Sequence, residues 1–212
     1  NGGANQTITT STGSSVTILA STSTVGTFNY SLVSVRDSST SACTQSQSGT
    51  ATITINSLPT ATISGTVSTC ANAVNPIVTF SGANGVAPYT FTYSVNGGVN
   101  QTITSISNSV TLPVSTNTVG IYTYNLVSVS DSSSTACSQS QTGSATITIN
   151  PLPNAAFTVA PTNGCSPLTV TFNNTTPVLA GNTFAWNFGD GTTSTAANPP
   201  PLTFTNTGII DS

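Results

Sequence analysis

Histidine, lysine, glutamate and methionine are absent from this sequence, and Arg36 is its only cation. Asp37, Asp131, Asp190 and Asp211 are its only acids. General acid–base catalysis needs a titratable side chain tuned near the working pH, usually His, Glu, Asp or Lys. Three of those types are missing here. Asp37 and Asp131 fall at equivalent points of a repeat, which does not make a paired-carboxylate hydrolase site. A zinc centre of the usual His/Cys kind is excluded by the lack of His and by cysteines that are widely spaced and never form CxxC. One cation cannot provide a basic footprint for phosphates. No apolar run approaches the roughly 18 residues of a spanning helix. The expectation is a non-enzyme with no catalytic residue, cofactor, metal or nucleic-acid partner, and with no membrane insertion in this segment. The sequence also opens inside a motif, Asn1-Gly2-Gly3, and reads as a piece of a longer protein.

What is present is hydroxyl and β-branched chemistry. Ser and Thr dominate the polar residues, and Val, Ile, Phe and Tyr alternate with them. Disordered chains are poor in β-branched and aromatic residues and rich in charge. This pattern instead predicts β-domains with hydroxyl-rich outer faces. One long alternating stretch occurs twice: GTFNYSLVSVRDSSTSAC at 26–43 and GIYTYNLVSVSDSSSTAC at 120–137. Recurrence at domain spacing marks a tandem repeat. In both copies the alternation slips by one residue after Leu32 or Leu126, which predicts a bulge or a strand covered on both faces.

In chain order, strands are predicted at 6–9, 15–19, 27–35 and 51–55. The fullest set comes next, at 60–64, 77–80, 88–95, 99–103, 110–114, 122–129 and 145–149. Tyr89, Phe91, Tyr93 and Val95 alternate with Thr90, Thr92 and Ser94, so the aromatics are expected in a core rather than on a sugar-stacking platform. Asn96-Gly97 fits a type I′ hairpin, since both residues tolerate positive φ. Short strands with turn signals every 8–12 residues predict an immunoglobulin-like sandwich. Leu58-Pro59 and Pro151-Leu152-Pro153 stiffen the backbone after the last strand of each copy. They place the expected boundaries at 1–57 (the back part of one repeat), 58–151 (a complete repeat) and 152–212 (a different module). The fold class expected is all-β: tandem immunoglobulin-like β-sandwich domains in an extended array.

Cys43 and Cys137 are equivalent in the repeat, and Cys70 and Cys165 are roughly so. The simplest pairing inside one complete repeat is a disulfide between Cys70 and Cys137, leaving Cys43 and Cys165 with partners outside the segment. Such a bond implies an oxidising, extracytoplasmic setting. The alternative is that all four are buried free thiols.

Two resemblances attach to these motifs. Trp186-Asn187-Phe188-Gly189-Asp190-Gly191, with proline-rich 198–201 and Gly208 downstream, resembles the signature of the PKD domain, a β-sandwich of extracellular proteins. Asn187 stands where Asp is common, and Leu202 where His is usual. Residues 1–151 resemble the Ser/Thr-rich repeats of very large Bacteroidota surface adhesins of the flavobacterial gliding-motility type. The similarity lies in the motifs APYTFTY (87–93), NGGVNQT (96–102), LVSV (126–129), TACSQSQ (135–141) and GSATITIN (143–150). The resemblance implies type IX secretion, display on the bacterial outer surface and a part in attachment and gliding. Its expected partners are neighbouring repeats, with surface glycans or abiotic surfaces as the adhesive target.

Asp190 could help to hold calcium, as in some PKD domains. Calcium takes six to eight oxygens, so one Asp in a Gly-Asp-Gly turn is expected to be structural. Asp37 and Asp131 are expected to close Asx turns. The functional expectation is a structural stalk or spacer segment of a repetitive surface adhesin. The alternatives are a glycan-binding array on a secreted enzyme and an extracellular filament subunit.

Overall fold

The computed structural model describes residues 3–177 and 181–205. Gly208 and Asp211 lie outside the described residues. Among the described residues the chain is all-β, with no helix. It divides into two compact units, Asn1–Asn150 and Pro151–Ser212.

The first unit holds β1 (Gly26–Ser31), β2 (Ser34–Arg36), β3 (Thr44–Ser46) and β4 (Thr50–Ile55) from the first copy of the repeat. The second copy supplies β5 (Thr60–Ser64), β6 (Val67–Cys70), β7 (Ile77–Ala83), β8 (Thr90–Val95), β9 (Gln101–Thr104), β10 (Ser109–Pro113), β11 (Gly120–Ser130), β12 (Ser138–Ser140) and β13 (Ser144–Asn150). These nine strands make a sandwich. One sheet runs β10-β7-β5, and the other runs β6-β13-β11-β8-β9 with β12 beside the far end of β11. All pairs are antiparallel except β6 with β13.

Alternation explains why the sheets face each other. Val78 and Phe80 of β7, Phe91 and Tyr93 of β8, Tyr124, Leu126 and Val129 of β11, and Ile147 and Ile149 of β13 form one buried cluster. Phe80 bridges the two layers, its ring 5.7 Å from that of Phe91 and 5.1 Å from that of Tyr93. Burying a side chain of that kind contributes about 1.5–3 kcal/mol. The slip in the repeated stretch is a β-bulge. Leu126 faces Tyr93 and Ser128 faces Thr92, so Val127 is the extra residue. Inserting it lets Leu126 and Val129 both point inward. Asn96 and Gly97 have φ of 51° and 71°, as the type I′ turn requires. The Asn96 side chain locks the turn, accepting from the Thr123 amide at 2.7 Å and donating to the Ile121 carbonyl at 3.1 Å.

Three strands, β3, β6 and β12, escape the sequence pattern because they are short and carry no apolar stripe. The opposite difference is more informative. The strands predicted at 6–9 and 15–19 do not form; both stretches are irregular. Their counterparts in the second copy are β9, paired with β8, and β10, paired with β7. Among the described residues, no strand pairs with either stretch. A strand pattern without a neighbour to bond has no reason to be a strand, because isolated pairings are marginal in water.

The second unit contains β14 (Phe157–Ala160), β15 (Leu168–Asn174), β16 (Trp186–Asn187), β17 (Thr193–Ser194) and β18 (Leu202–Phe204). A β14-β15-β18 sheet stands with a β16-β17 hairpin. Phe157, Phe172, Trp186 and Phe188 gather there. Trp186 and Phe188 stack at 6.2 Å, and Phe172 lies 4.8 Å from Phe188.

Candidate functional site

Asp131 follows β11 directly and is buried. One carboxylate oxygen accepts from the Ser133 hydroxyl at 2.7 Å and the Ser133 amide at 3.3 Å. The other accepts from the Val86 amide at 3.1 Å, in the loop before β8. Ser132 reinforces the link, its amide donating to Val86 O at 2.9 Å and its hydroxyl to Ala87 O at 2.8 Å. The carboxylate therefore joins two loops at one end of the sandwich. Burial pushes its pKa up, but the donors, Ser133 first, outweigh that and hold it below the ordinary 3.8.

Asp37 repeats the turn in the first copy, accepting from the Ser39 hydroxyl at 2.8 Å and the Cys43 amide at 2.9 Å. Asp190 does the same with the Thr192 hydroxyl at 2.6 Å and amide at 2.9 Å. Hydrogen bonds from those hydroxyls lower both pKa values. Asp37 and Asp190 thus each hold a local turn through one carboxylate oxygen, whereas Asp131 also reaches across to the Val86 loop. Among the described residues, no group of three or more His, Cys, Asp or Glu is placed to hold a metal ion. Likewise, among the described residues no buried side-chain nitrogen or oxygen lacks a partner.

A depressed carboxylate pKa contributes stability that is complete above the unfolded value and is lost as pH falls through the folded one. The melting temperature of the sandwich is therefore expected to drop as pH falls below about 4. Asp131→Ala is expected to cost about 2–3 kcal/mol at neutral pH, from hydrogen bonds to a charged group. It should also flatten part of that acid dependence. Thermal melts of both proteins between pH 7 and pH 2.5 check this; a variant with an unchanged pH profile would contradict it.

The expected Cys70–Cys137 bond is a correction. All four cysteines are free thiols, and Cys43, Cys70 and Cys165 are exposed. Strand direction gives the reason. Cys70 lies across from Asn150, level with the start of β11, whereas Cys137 lies beside Asp131, past its end. The eleven residues of β11 lie between them, about 36 Å at about 3.3 Å per residue. Bridged Cα atoms sit within about 7 Å. The inference to an oxidising setting that leaned on this bond has no support from it.

The aromatics fall where alternation puts them. Tyr89, Phe91 and Tyr93 are buried and offer no stacking platform. In the second unit, Ala185, Trp186, Asn187, Thr193, Ser194 and Thr195 line a shallow depression. Trp186 is tied there by its indole N–H to Ala196 O at 2.9 Å.

The solvent face of the larger sheet was legible only in part. Register brings Thr104, Thr90, Ser130 and Ser138 into one row, and Thr102, Thr92, Ser128 and Ser140 into the next. Asn125 with Ser144, and Thr123 with Thr146, continue the tiling. Cross-strand hydroxyls meet directly, as in Thr90 with Thr104 at 3.0 Å. The result is a neutral, hydroxyl-covered surface.

No family model and no curated protein matches the chain. One solved structure similar to it is described as a Ca2+-stabilized adhesin that helps an Antarctic bacterium reach out and bind ice. The similarity covers 84% of this chain at 18% identity, with a TM-score of 0.42. This chain spans 45% of that protein.

Proposed function

We propose that this segment is a force-bearing spacer of a large, repetitive bacterial cell-surface adhesin. The observation that carries this reading is where the chain enters and leaves the sandwich. It enters beside Asp131: the Ser57 hydroxyl donates to Asn84 O, and Thr60 pairs with Ala83, next to the Val86 loop that Asp131 holds. It leaves at Asn150, level with Gly120. Entry and exit are separated by the length of β11, as a unit repeated end to end requires. A pull between them runs along the strands. It loads the parallel β6–β13 pair in shear, so that the bonds from Val67 to Cys70 must yield together.

The motif resemblance supports the finer reading. In it the chain comprises residues 1–57, 58–151 and 152–212, the last PKD-like, exported by a type IX route and serving attachment and gliding from the outer surface. Neighbouring repeats are its nearest partners, and neutral glycan or abiotic surfaces suit the uncharged hydroxyl face. A glycan-binding array would need an exposed aromatic platform, and the aromatic row Tyr89, Phe91 and Tyr93 is buried.

Single-molecule pulling tests the force-bearing role. Held by its two ends, the chain is expected to resist until the sandwich yields in one step. Held at Gly97 and Asn150, which lie at the same end of the sandwich, it should peel at clearly lower force. Equal forces in the two geometries would sink the proposal.

A further inference from the structure

The passage from the first copy of the repeat to the second is short. β4 ends at Ile55 and β5 begins at Thr60, so Asn56, Ser57, Leu58 and Pro59 are the whole joint. Proline sets its own φ and restrains the residue before it. That stiffens Leu58-Pro59 but does not by itself stop Asn56 and Ser57 from turning. Relative motion of consecutive domains is the default where no large apolar interface joins them.

The second copy supplies what the proline does not. The loop between β7 and β8 forms a socket at the end where the chain enters the sandwich. Pro59 is fully buried in it, whereas Leu58 beside it is 55% exposed. Gly85 is what leaves room for the proline ring: a Cβ there would lie 3.0 Å from Pro59 Cβ and 2.7 Å from Asp131 Oδ2. The same Oδ2 accepts from the Val86 amide, so the carboxylate holds the loop in place beside the ring. Asn84 turns the chain into this loop with a φ of 64°. Its side-chain amide donates to Thr60 Oγ1 at 3.0 Å, and its carbonyl accepts from the Ser57 hydroxyl. Asn56 in turn donates to Thr135 Oγ1 at 2.9 Å, in the loop that Asp131 opens. Ser57, Pro59 and Thr60 are therefore all held at one place, and the side chain of Leu58 is the part of the joint left to solvent.

We propose that Asn84, Gly85, Val86 and Asp131 form a docking socket for the segment by which the chain enters the repeat, and that this socket fixes the angle between consecutive repeats. The segment it fits is chemically defined: a proline with a hydroxyl donor two positions before it, as in Ser57-Leu58-Pro59. Gly85 selects the proline by leaving space that a side chain would fill. The Asn84 carbonyl selects the hydroxyl. Asp131 is a positioning residue here, acting through the loop it holds at Val86. Load bearing concerns a single sandwich and the angle concerns two successive repeats, so either can hold without the other.

Pulsed dipolar spectroscopy on the full chain reads the angle. Spin labels go on native thiols, Cys43 in the first copy and Cys70 in the second, both exposed, with Cys137→Ser and Cys165→Ser. The expected result is one narrow distance distribution. Ser57→Ala combined with Asn84→Gly removes the hydroxyl grip and the bond to Thr60, and glycine keeps the positive φ without strain. Gly85→Ala drives a carbon into Pro59 and the Asp131 carboxylate. Each change should widen the distribution at least about twofold, as a freed joint does. Leu58→Ala alters only the exposed side chain and should leave the width as it was. The near-ultraviolet circular dichroism of the buried tyrosines should be unchanged in the double variant, which shows that the sandwich is intact; where Gly85→Ala disturbs it, the double variant decides. A broad distribution in the parent chain would overturn the proposal. So would a width that the double variant leaves unchanged, or one that Leu58→Ala increases as much.

Discussion

Leu126→Ala is expected to destabilise the sandwich by about 3 kcal/mol, within the usual range for a buried leucine, and Leu32→Ala by less than about 0.5 kcal/mol. The two leucines occupy the same place in the same repeated motif, so helix or strand propensity cannot separate them. What differs is the surroundings. Leu126 lies opposite Tyr93 and within the cluster that includes Tyr124 and Ile147. Leu32 faces solvent over half its surface. Truncating the first leaves a cavity in a packed interior; truncating the second leaves water where water already was. Urea denaturation followed by the near-ultraviolet circular dichroism of the buried tyrosines reads the difference, since Tyr89, Tyr93 and Tyr124 are in that core. At about 4–8 °C per kcal/mol for a domain of this size, Leu126→Ala should melt more than about 10 °C lower. Equal losses for the two variants would mean that Leu32 is packed as tightly as Leu126, against the difference in their exposure.

The repeat was legible because side chains on a strand alternate with period two, and both copies keep the phase through the bulge at Val127. The hairpin at Asn96-Gly97 was legible for an equally local reason. β6 and β12 were not, since Val67-Ser68-Thr69-Cys70 and Ser138-Gln139-Ser140 carry no apolar stripe and are fixed by neighbours instead. The disulfide expectation failed on the same ground. Equivalent cysteines in two copies show that a position recurs, but only the parallel pairing of β6 with β13 shows which end of the sandwich Cys70 occupies. At 6–9 and 15–19 the local pattern was that of a strand, and the missing partner decided otherwise. The Asx turns of Asp37, Asp131 and Asp190 could be read from Asp-Ser-Ser and Gly-Asp-Gly; the bond from Asp131 to Val86 joins residues far apart in sequence and had no signal there.

Gly65→Ala is expected to cost about 3–5 kcal/mol, a loss reserved for strain or overpacking that the backbone cannot relieve. Gly65 sits between β5, which belongs to one sheet, and β6, which belongs to the other. Its φ of +121° is closed to ordinary side chains, and a Cβ there would lie 2.3 Å from the Ile77 carbonyl oxygen and 3.1 Å from Val78 Cα. Both obstacles are main chain of β7, at the heart of the smaller sheet, so neither can swing aside. Relief requires the β5–β6 corner to move. That movement pulls Val67–Cys70 off β13. Gly97→Ala is the control: its φ is +71° but nothing lies within 4 Å of the added carbon, so only the backbone cost of about 1–2 kcal/mol applies. Melting curves rank the two variants, and pulling from the chain ends separates causes. If β6–β13 bears the load, Gly65→Ala lowers the unfolding force by more than its share of lost stability, whereas Gly97→Ala lowers stability and leaves the force nearly intact. If instead both variants lose force in proportion to stability, the resistance is spread through the whole sandwich, and the crossing at Gly65 matters to folding alone.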